Sequence, residues 1–369
     1  MRRLVHVAAG CAGSGAALVF AYTRLRQDRW AKVRRHSWST VRYVYQSLSI
    51  YQLAWRIEKA YSLLPPPVDA LEVLEGGDAV LDKIFAGAPD TFQSKPSNRM
   101  QIESLMDCVY GLVKSVRQTG ATPILLDMGA GKALFTRALY EGLGRKVAAV
   151  AMDLRGPKIR DHFYDPPIVS ETNTQNDDDE QPFTRVVADV NRLSVRKIGP
   201  ALQEGKHGGV IAITKHLCGG ATDGSIKALC ASPLDDFVGA CCLAPCCHQK
   251  TRKAQYCNVA FLESQGFCRT HIGLRGGVED SDFRSFGMLI SMSKSGDLKD
   301  FEYKKSPLLK LLGTSRAQQL GYKARRILEE GRIRYLDANG FDAHLVRYCD
   351  NSVTFDNLAI IATRRPSTI

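Results

Sequence analysis

The sequence predicts an α/β protein with a doubly wound, mostly parallel sheet of seven strands and an N-terminal helical extension. From Pro123 onward, short apolar runs alternate with helix-length segments, as in parallel strands joined by crossover helices. These runs show little polar alternation, which indicates strands buried on both faces. The composition, 44% hydrophobic and 24% charged, is that of a globular protein with a sizeable core.

The N-terminal residues differ from the rest in charge. The first 50 residues contain nine basic residues and one acidic residue, so they carry most of the formal net charge of +12. Residues 4–22 form an apolar run near the minimum length for a membrane span, and the Arg-rich, acid-poor composition is typical of transit peptides. We therefore expect residues 1–35 to be a targeting or membrane-anchor segment. An organelle (mitochondrial) presequence, a weak anchor that contacts a membrane through residues 4–22, and a buried helix remain open.

Cysteine usage favours an intracellular, reducing compartment. Eleven cysteines occur in no regular framework, and some are adjacent, unlike the disulfide scaffold of a small secreted protein. The cytoplasm or nucleus is the alternative to an organelle.

Residues 36–118 are predicted to form the helical extension. Apolar residues recur at helical spacing in residues 37–63, and residues 70–84 and 99–118 also indicate helices. No Cys/His zinc module is possible in this part of the chain, because only Cys11 and Cys108 precede Asp127.

The remainder, residues 119–369, is predicted to be one catalytic domain. Five parallel strands are expected at residues 124–127, 147–152, 185–188, 209–214 and 237–243, followed by an antiparallel pair at residues 344–349 and 357–363. Residues 166–182 contain five acidic residues and are predicted to be a mobile insertion. This strand arrangement is the layout of Rossmann-like class I methyltransferases.

A glycine loop follows the first of these strands. Asp127-Met-Gly129-Ala-Gly131-Lys132 lies between a strand and a helix, where glycines permit close backbone approach and the helix N-terminus offers free N–H groups to a nucleotide-type cofactor. Asp153 ends the next strand, where an acid can bind ribose hydroxyls, and Asp189 ends the third. The loop lacks the third glycine of dinucleotide binders and the Gly-Lys-Ser/Thr of ATP binders, which favours S-adenosylmethionine.

Two further strands end in reactive side chains. The fourth strand is followed by Lys215 and His216, and the fifth by Cys246, Cys247 and His248. Because ligands bind outside the carboxyl ends of parallel strands, both segments should face the reacting group, and Lys215 or His216 could deprotonate or orient a hydroxyl. Adjacent cysteines do not easily bind one tetrahedral ion, and Cys-x-x-Cys spacing is absent, so no metal ligand is assigned. A structural zinc ion remains the alternative to reduced, packed cysteines.

These segments also carry a family resemblance. The runs KHLCGGATD (residues 215–223) and CCHQ (residues 246–249), behind the DMGAGK loop, resemble the eukaryotic tRNA ribose methyltransferases that modify the fourth nucleotide of the acceptor stem, the tRNA:m(4)X modification enzymes. The resemblance extends over about residues 120–365. Ala133, Gln249 and Asp356 depart from the family pattern, in which Gly, His and Glu are usual.

The resemblance implies transfer of a methyl group from S-adenosylmethionine to a 2′-hydroxyl of tRNA. It implies that the cofactor binds at Asp127, Gly129, Gly131, Lys132, Asp153 and Asp189. It also implies that the reaction site is lined by Lys215, His216, Asp223, Cys247 and His248.

A second RNA-binding surface is predicted near the C-terminus. Residues 303–335 contain nine Lys or Arg residues, and a basic helical face can contact phosphates. The proposed tRNA contacts are Lys304, Lys305, Lys323, Arg325, Arg326 and Arg332. A solvated helix face is the alternative.

Two other functions remain open. One is methylation of a protein or small molecule on the same fold, and the other is non-catalytic RNA binding. No protein partner is predicted.

Overall fold

The computed structural model describes residues 50–69, 77–86, 95–156, 158, 180–192, 209–231, 237–267, 286–290, 292–293 and 312–366. The predicted targeting segment with its membrane contact, Lys304, Lys305 and most of the predicted acidic insertion lie outside these residues. Within the described residues, no helix is both long enough and apolar enough to span a bilayer.

The chain divides into two compact units, Met1–Trp55 and Arg56–Ile369. Of the first unit, residues 50–55 are described, and they are helical. The second unit contains all the elements named below.

Among the described residues, eight strands form the sheet of the second unit. They are β1 (Val68–Asp69), β2 (Ile124–Met128), β3 (Ala148–Asp153), β4 (Phe183–Val187), β5 (Val210–Cys218), β6 (Val238–Cys246), β7 (Phe341–Arg347) and β8 (Leu358–Arg364). Their order is β1-β7-β8-β6-β5-β2-β3-β4. Every neighbouring pair is parallel except those that include β8, which is antiparallel to both β6 and β7.

The predicted sheet is confirmed with one correction. Seven strands were expected, and β1 is an eighth that pairs in parallel with the edge strand β7 through Val68 and Asp69. A strand of two residues has no period that a sequence pattern can reveal.

In the part of the chain that the structure describes, the helices whose bounds are defined are α1 (Gly77–Phe85), α2 (Pro96–Gln118), α3 (Leu134–Gly142), α4 (Gly220–Leu229), α5 (Val259–Ser264) and α6 (Thr314–Ala338). Helices α1 and α2 pack into the same hydrophobic core as the sheet. The predicted boundary between residues 118 and 119 stays a prediction.

The strands are buried on both faces, as their apolar sequences indicate. In β2, Leu125 belongs to the core that contains α1, α2 and α3, while its neighbour Leu126 belongs to the opposite core, which contains residues of α4 and α6. In β5, Ile211 belongs to the first of these cores and its neighbour Ala212 belongs to the opposite one. Because successive side chains of a strand point to opposite faces, continuous apolar runs supply both cores and bring the strand ends to one edge.

Candidate active site

The glycine loop after β2 is shaped by backbone that few residues can adopt. Gly129 has φ +85°, and a Cβ atom there would lie 2.7 Å from Cδ1 of Leu217. Gly131 has φ +55°, with open space where its Cβ would lie. The first glycine therefore permits close packing against β5, whereas the second leaves room above the loop. Ala133, at the N-cap of α3, also has a left-handed backbone, with φ 62°.

Asp127 is buried at the end of β2 behind this loop. Its Oδ2 accepts a hydrogen bond of 2.6 Å from Oγ1 of Thr136, while its Oδ1 has no partner among the described residues. Burial raises the pKa of Asp127 to about 7, and the charge of Lys215 opposes that rise. An unpaired buried carboxylate oxygen is costly without a hydrogen-bond donor, so it fits a site that receives a polar ligand.

Asp153 and Asp189 follow the next two strands and lie half-buried at the same edge. Oδ2 of Asp153 accepts from the backbone N–H of Gly131 at 3.0 Å, which ties the loop to β3. Beside these acids, Leu154 and Val187 are exposed by 65% and 62%. This combination suits a nucleoside. The carboxylates can accept hydrogen bonds from ribose hydroxyl groups, and the exposed apolar side chains can contact the flat apolar faces of the base.

Lys132 occupies the rim of the loop. Its side chain is exposed, and its carbonyl oxygen accepts a hydrogen bond of 3.0 Å from Nη2 of Arg185. The residues of the loop and the two strand ends therefore fit S-adenosylmethionine: Asp127, Gly131 and Asp153 would hold it, with Asp189 and Leu154 toward the adenine.

Lys215 lies near the end of β5 with its amine largely withdrawn from solvent. Its Nζ donates to Oδ1 of Asn98, at the start of α2, at 2.5 Å. Burial lowers the pKa of Lys215 to about 8, against the opposing charges of Cys246 and Asp127. The lowered pKa makes this amine a better proton acceptor near neutral pH than an ordinary lysine.

His216 is the extra residue of an irregularity in β5. The register between β5 and β6 shifts between Lys215 and Leu217, and His216 has φ 69°. Partial desolvation of its ring, with the Lys215 ammonium beside it, lowers the pKa of His216 to about 4. The imidazole is therefore neutral at neutral pH and is a weaker base than Lys215.

Three thiols converge where β5 and β6 end. Sγ of Cys218 lies 3.4 Å from Sγ of Cys246, and the sulfur atoms of Cys218, Cys246 and Cys247 all lie within 4.8 Å of one another. A hydrogen bond with the Cys246 thiol lowers the pKa of Cys218 to about 6, and Cys247 and Lys250 act in the same direction.

Asp223 and His248 belong to a buried ion cluster together with Glu329 and Arg332 of α6. Arg332 donates to Asp223 from Nη2 at 2.7 Å and from Nε at 3.1 Å, and from Nη1 to Glu329 at 2.8 Å. Nε2 of His248 bonds the same Glu329 carboxylate. Asp223 and Arg332 have side chains exposed by 0% and 1%. These contacts position Asp223 and His248 behind the site rather than on its open surface.

The predicted RNA-binding face on α6 is wrong for three of its arginines. Arg325, Arg326 and Arg332 are exposed by only 4%, 1% and 1%. Arg325 is held by Asp356 and the carbonyl oxygen of Ser293, and Arg326 by the carbonyl oxygen of Pro65. Lys323 pairs with Glu58. Within the described residues, these four basic side chains bind other groups of the protein, whereas Arg316 and Arg334 of the same helix are about half exposed.

The structure adds residues to the site that sequence reasoning missed. Asn98 is 117 positions from Lys215, and Arg332 is 109 positions from Asp223. No local pattern indicates such pairings.

The fold and this edge define the class of the protein. Seven strands that run in one direction, a reversed strand β8 between β6 and β7, and a glycine loop after β2 are the fold and cofactor loop of S-adenosylmethionine-dependent methyltransferases. The chain belongs to the Methyltransferase TRM13 family, whose family model matches residues 104–363.

Curated relatives carry the name tRNA:m(4)X modification enzyme TRM13. The chain is 33% identical over 188 residues to the protein of Vanderwaltozyma polyspora, which covers 50% of this chain and 42% of that protein. It is 30% identical over 200 residues to the protein of Eremothecium gossypii, covering 51% and 41%. With Yarrowia lipolytica the identity is 24% over 289 residues, covering 69% and 58%. The matched region thus spans less than half of the first two relatives.

Among solved structures, the plantazolicin methyltransferase BpumL in complex with SAH matches with 13% identity and a TM-score of 0.28. The match covers 79% of this chain and 96% of that chain. A similarity at this level adds nothing to the assignment above.

Proposed function

We propose that this chain transfers a methyl group from S-adenosylmethionine to a ribose 2′-hydroxyl of tRNA, at nucleotide 4 of the acceptor stem. The observation that carries the proposal is the placement of Lys215, a desolvated amine with a lowered pKa, beside the cofactor loop. Family membership and the names of the relatives support the tRNA and its fourth nucleotide.

In this proposal the bound cofactor supplies an electrophilic methyl group on a positively charged sulfur. Asp127, Gly131 and Asp153 would hold and orient it. The amine of Lys215, in its neutral form, would accept the proton that the 2′-hydroxyl loses when its oxygen takes the methyl group. Asn98 holds the Lys215 amine in place through the hydrogen bond of 2.5 Å. Methyl transfer depends mainly on such alignment.

Phosphates of the RNA would meet the exposed basic residues beyond the reaction site. Lys250 and Arg252 follow Cys247 and His248 directly and are both exposed. Charged residues at this rim can position a backbone without reading its sequence. This replaces the buried arginines of α6 as the proposed contact. Lys304 and Lys305 stay predicted contacts outside the described residues.

The test is methylation of total tRNA with labelled S-adenosylmethionine, followed by nucleoside mass spectrometry and mapping of the modified position. The expected product is a 2′-O-methylated nucleotide at position 4, absent with Lys215→Met. Methylation of a base, or of a ribose elsewhere, would overturn the position or the chemistry. A labelled protein band that resists ribonuclease would overturn the RNA substrate.

A further inference from the structure

We propose that Cys218, Cys246 and Cys247 bind one Zn²⁺ ion through their three sulfur atoms, with a fourth position open to solvent. The site goes beyond the proposed methyl transfer, which assigns no metal. It rests on a convergence of thiols that two separate features of the backbone produce.

The first feature is the pairing of β5 with β6. Cys218 and Cys246 are direct partners across the two parallel strands, so their side chains project from the same face of the sheet. Their sulfur atoms are 3.4 Å apart. Both strands end here, which leaves the pair at the carboxyl edge of the sheet, with Cys218 exposed and Cys246 buried.

The second feature is the left-handed backbone of Cys247. In an extended strand, adjacent residues point to opposite faces, and adjacent cysteines would then be unable to bind one ion together. Cys247 has φ 48°, which ends the alternation and turns its thiol toward the pair. Such a backbone is unfavourable for a residue with a Cβ atom, so the surrounding structure must hold it in place.

The distances suit a tetrahedral thiolate site. A Zn–S bond of about 2.3 Å at tetrahedral angles separates the sulfur atoms by about 3.8 Å. The observed separations, from 3.4 Å for one pair to at most 4.8 Å, bracket that value. Small rotations of the three side chains would therefore seat the ion. Thiolate ligands select soft or borderline cations such as Zn²⁺ over Mg²⁺ or Ca²⁺.

The surrounding charges also suit the ion. Three thiolates and one Zn²⁺ carry a net charge of −1, and Lys250 interacts electrostatically with the cluster. Asp356 opposes it, but Asp356 is itself paired with Arg325. The Lys250 ammonium therefore compensates the excess negative charge of the metal-bound cluster.

A disulfide between Cys218 and Cys246 is the competing use of these thiols. It would need an oxidant such as a peroxide, and it would leave Cys247 and its strained backbone without a role. The third thiol is what favours a metal ion over a two-cysteine switch.

The test measures metal on the full chain, purified under reducing conditions without added donor or RNA. Elemental analysis should find about one zinc per chain, and cobalt substitution should give thiolate-to-metal charge-transfer absorption with the visible bands of a tetrahedral ion. Cys218→Ser, Cys246→Ser and Cys247→Ser should each weaken zinc binding by at least about tenfold.

Cys230→Ser, a cysteine outside the cluster, is the matched control and should bind zinc as the wild type does. Circular dichroism checks that each variant is folded, and Cys218, which is exposed, should tolerate serine even if Cys246 does not. Wild-type protein that is folded but binds neither zinc nor cobalt would overturn the proposal. So would unchanged zinc affinity in folded Cys218→Ser. Because no methyl transfer is measured, failure here is separate from failure of the proposed function.

Discussion

Replacement of Arg332 by methionine should destabilise the protein strongly. Arg332 is fully buried and bonds two carboxylates, those of Asp223 and Glu329. Methionine keeps much of the side-chain volume but removes the only cation that bonds both acids within the described residues. Removing one partner of a buried ion pair costs about 3–5 kcal/mol, so the free energy of unfolding should fall by that amount. The melting temperature should fall on the order of 10 °C.

Arg316 provides the matched control on the same helix. Its side chain is 47% exposed and pairs with Glu58, which also pairs with Lys323, and a solvent-exposed ion pair is worth only about 0.2–1 kcal/mol. Arg316→Met should therefore have a free energy of unfolding close to that of the wild type. Chemical denaturation of both variants, followed by circular dichroism, measures the difference directly.

The pH dependence separates an electrostatic cause from a loss of packing. Burial alone would raise the pKa of Glu329, but Arg332 and His248 hold it below the ordinary value of 4.5. A lowered pKa in the folded state contributes stability above the ordinary value, and this is lost as the pH falls through the folded value. The loss of unfolding free energy in Arg332→Met, relative to the wild type, should thus be largest near neutral pH and smaller below pH 4.5. A deficit that stays constant with pH, or one below about 1 kcal/mol at neutral pH, would refute this account of the cluster.

Three further predictions concern the site itself. The rate of methyl transfer by the wild type should increase as the pH rises through about 8, because the base is the neutral amine of Lys215. Lys215→Met should reduce this rate by a factor of about 10²–10⁴. A rate that does not change with pH would exclude this role for Lys215. Gly131→Ala places its Cβ in open space, so it should lower stability by only about 1–2 kcal/mol and should weaken cofactor binding measured by calorimetry. Gly129→Ala should mainly disrupt folding, because its Cβ would contact Leu217. Wild-type cofactor affinity in folded Gly131→Ala would contradict the assignment of this loop to the cofactor. The double variant Lys250→Ala/Arg252→Ala should bind tRNA more weakly, and the slope of log affinity against log salt concentration should fall by about two units. Its affinity for the cofactor should not change. An unaltered slope would show that neither residue contacts the RNA.

Most of the sheet was predictable because its signal is local. The buried strands β2, β3, β5 and β6 are continuous apolar runs with polar residues at their ends, and each was expected within a few residues of its observed bounds. The antiparallel arrangement of β7 and β8 was also expected, because the ten residues between them are too few for a parallel crossover. These features depend on neighbouring residues, which a single sequence displays.

The pairing of charges was not predictable for the opposite reason. The basic run on α6 has the composition of an RNA-binding face, yet Arg325 and Arg332 point into the protein. Their partners, Asp356 and Asp223, lie 31 and 109 positions away. A charge run gives the number of cations on a helix but not which of them face solvent, since that depends on acids contributed by distant elements.

Backbone strain links the glycine loop, the base and the thiols. Of the described non-glycine residues with positive φ, Ala133, His216 and Cys247 follow or interrupt the three strands β2, β5 and β6 at the edge that carries the site, while Arg145 lies in the turn after α3. Each such residue costs about 1–2 kcal/mol, and local strain of this kind persists where the surrounding structure enforces it. In β5, the irregular residue His216 lies between Lys215 and Cys218. After β6, the left-handed backbone of Cys247 brings a third thiol beside those of Cys218 and Cys246. Ligands bind at the carboxyl edge of such a sheet, and at this same edge the chain departs from regular strand geometry. The departures at His216 and Cys247 therefore change the direction of side chains next to the proposed base and the proposed metal ligands.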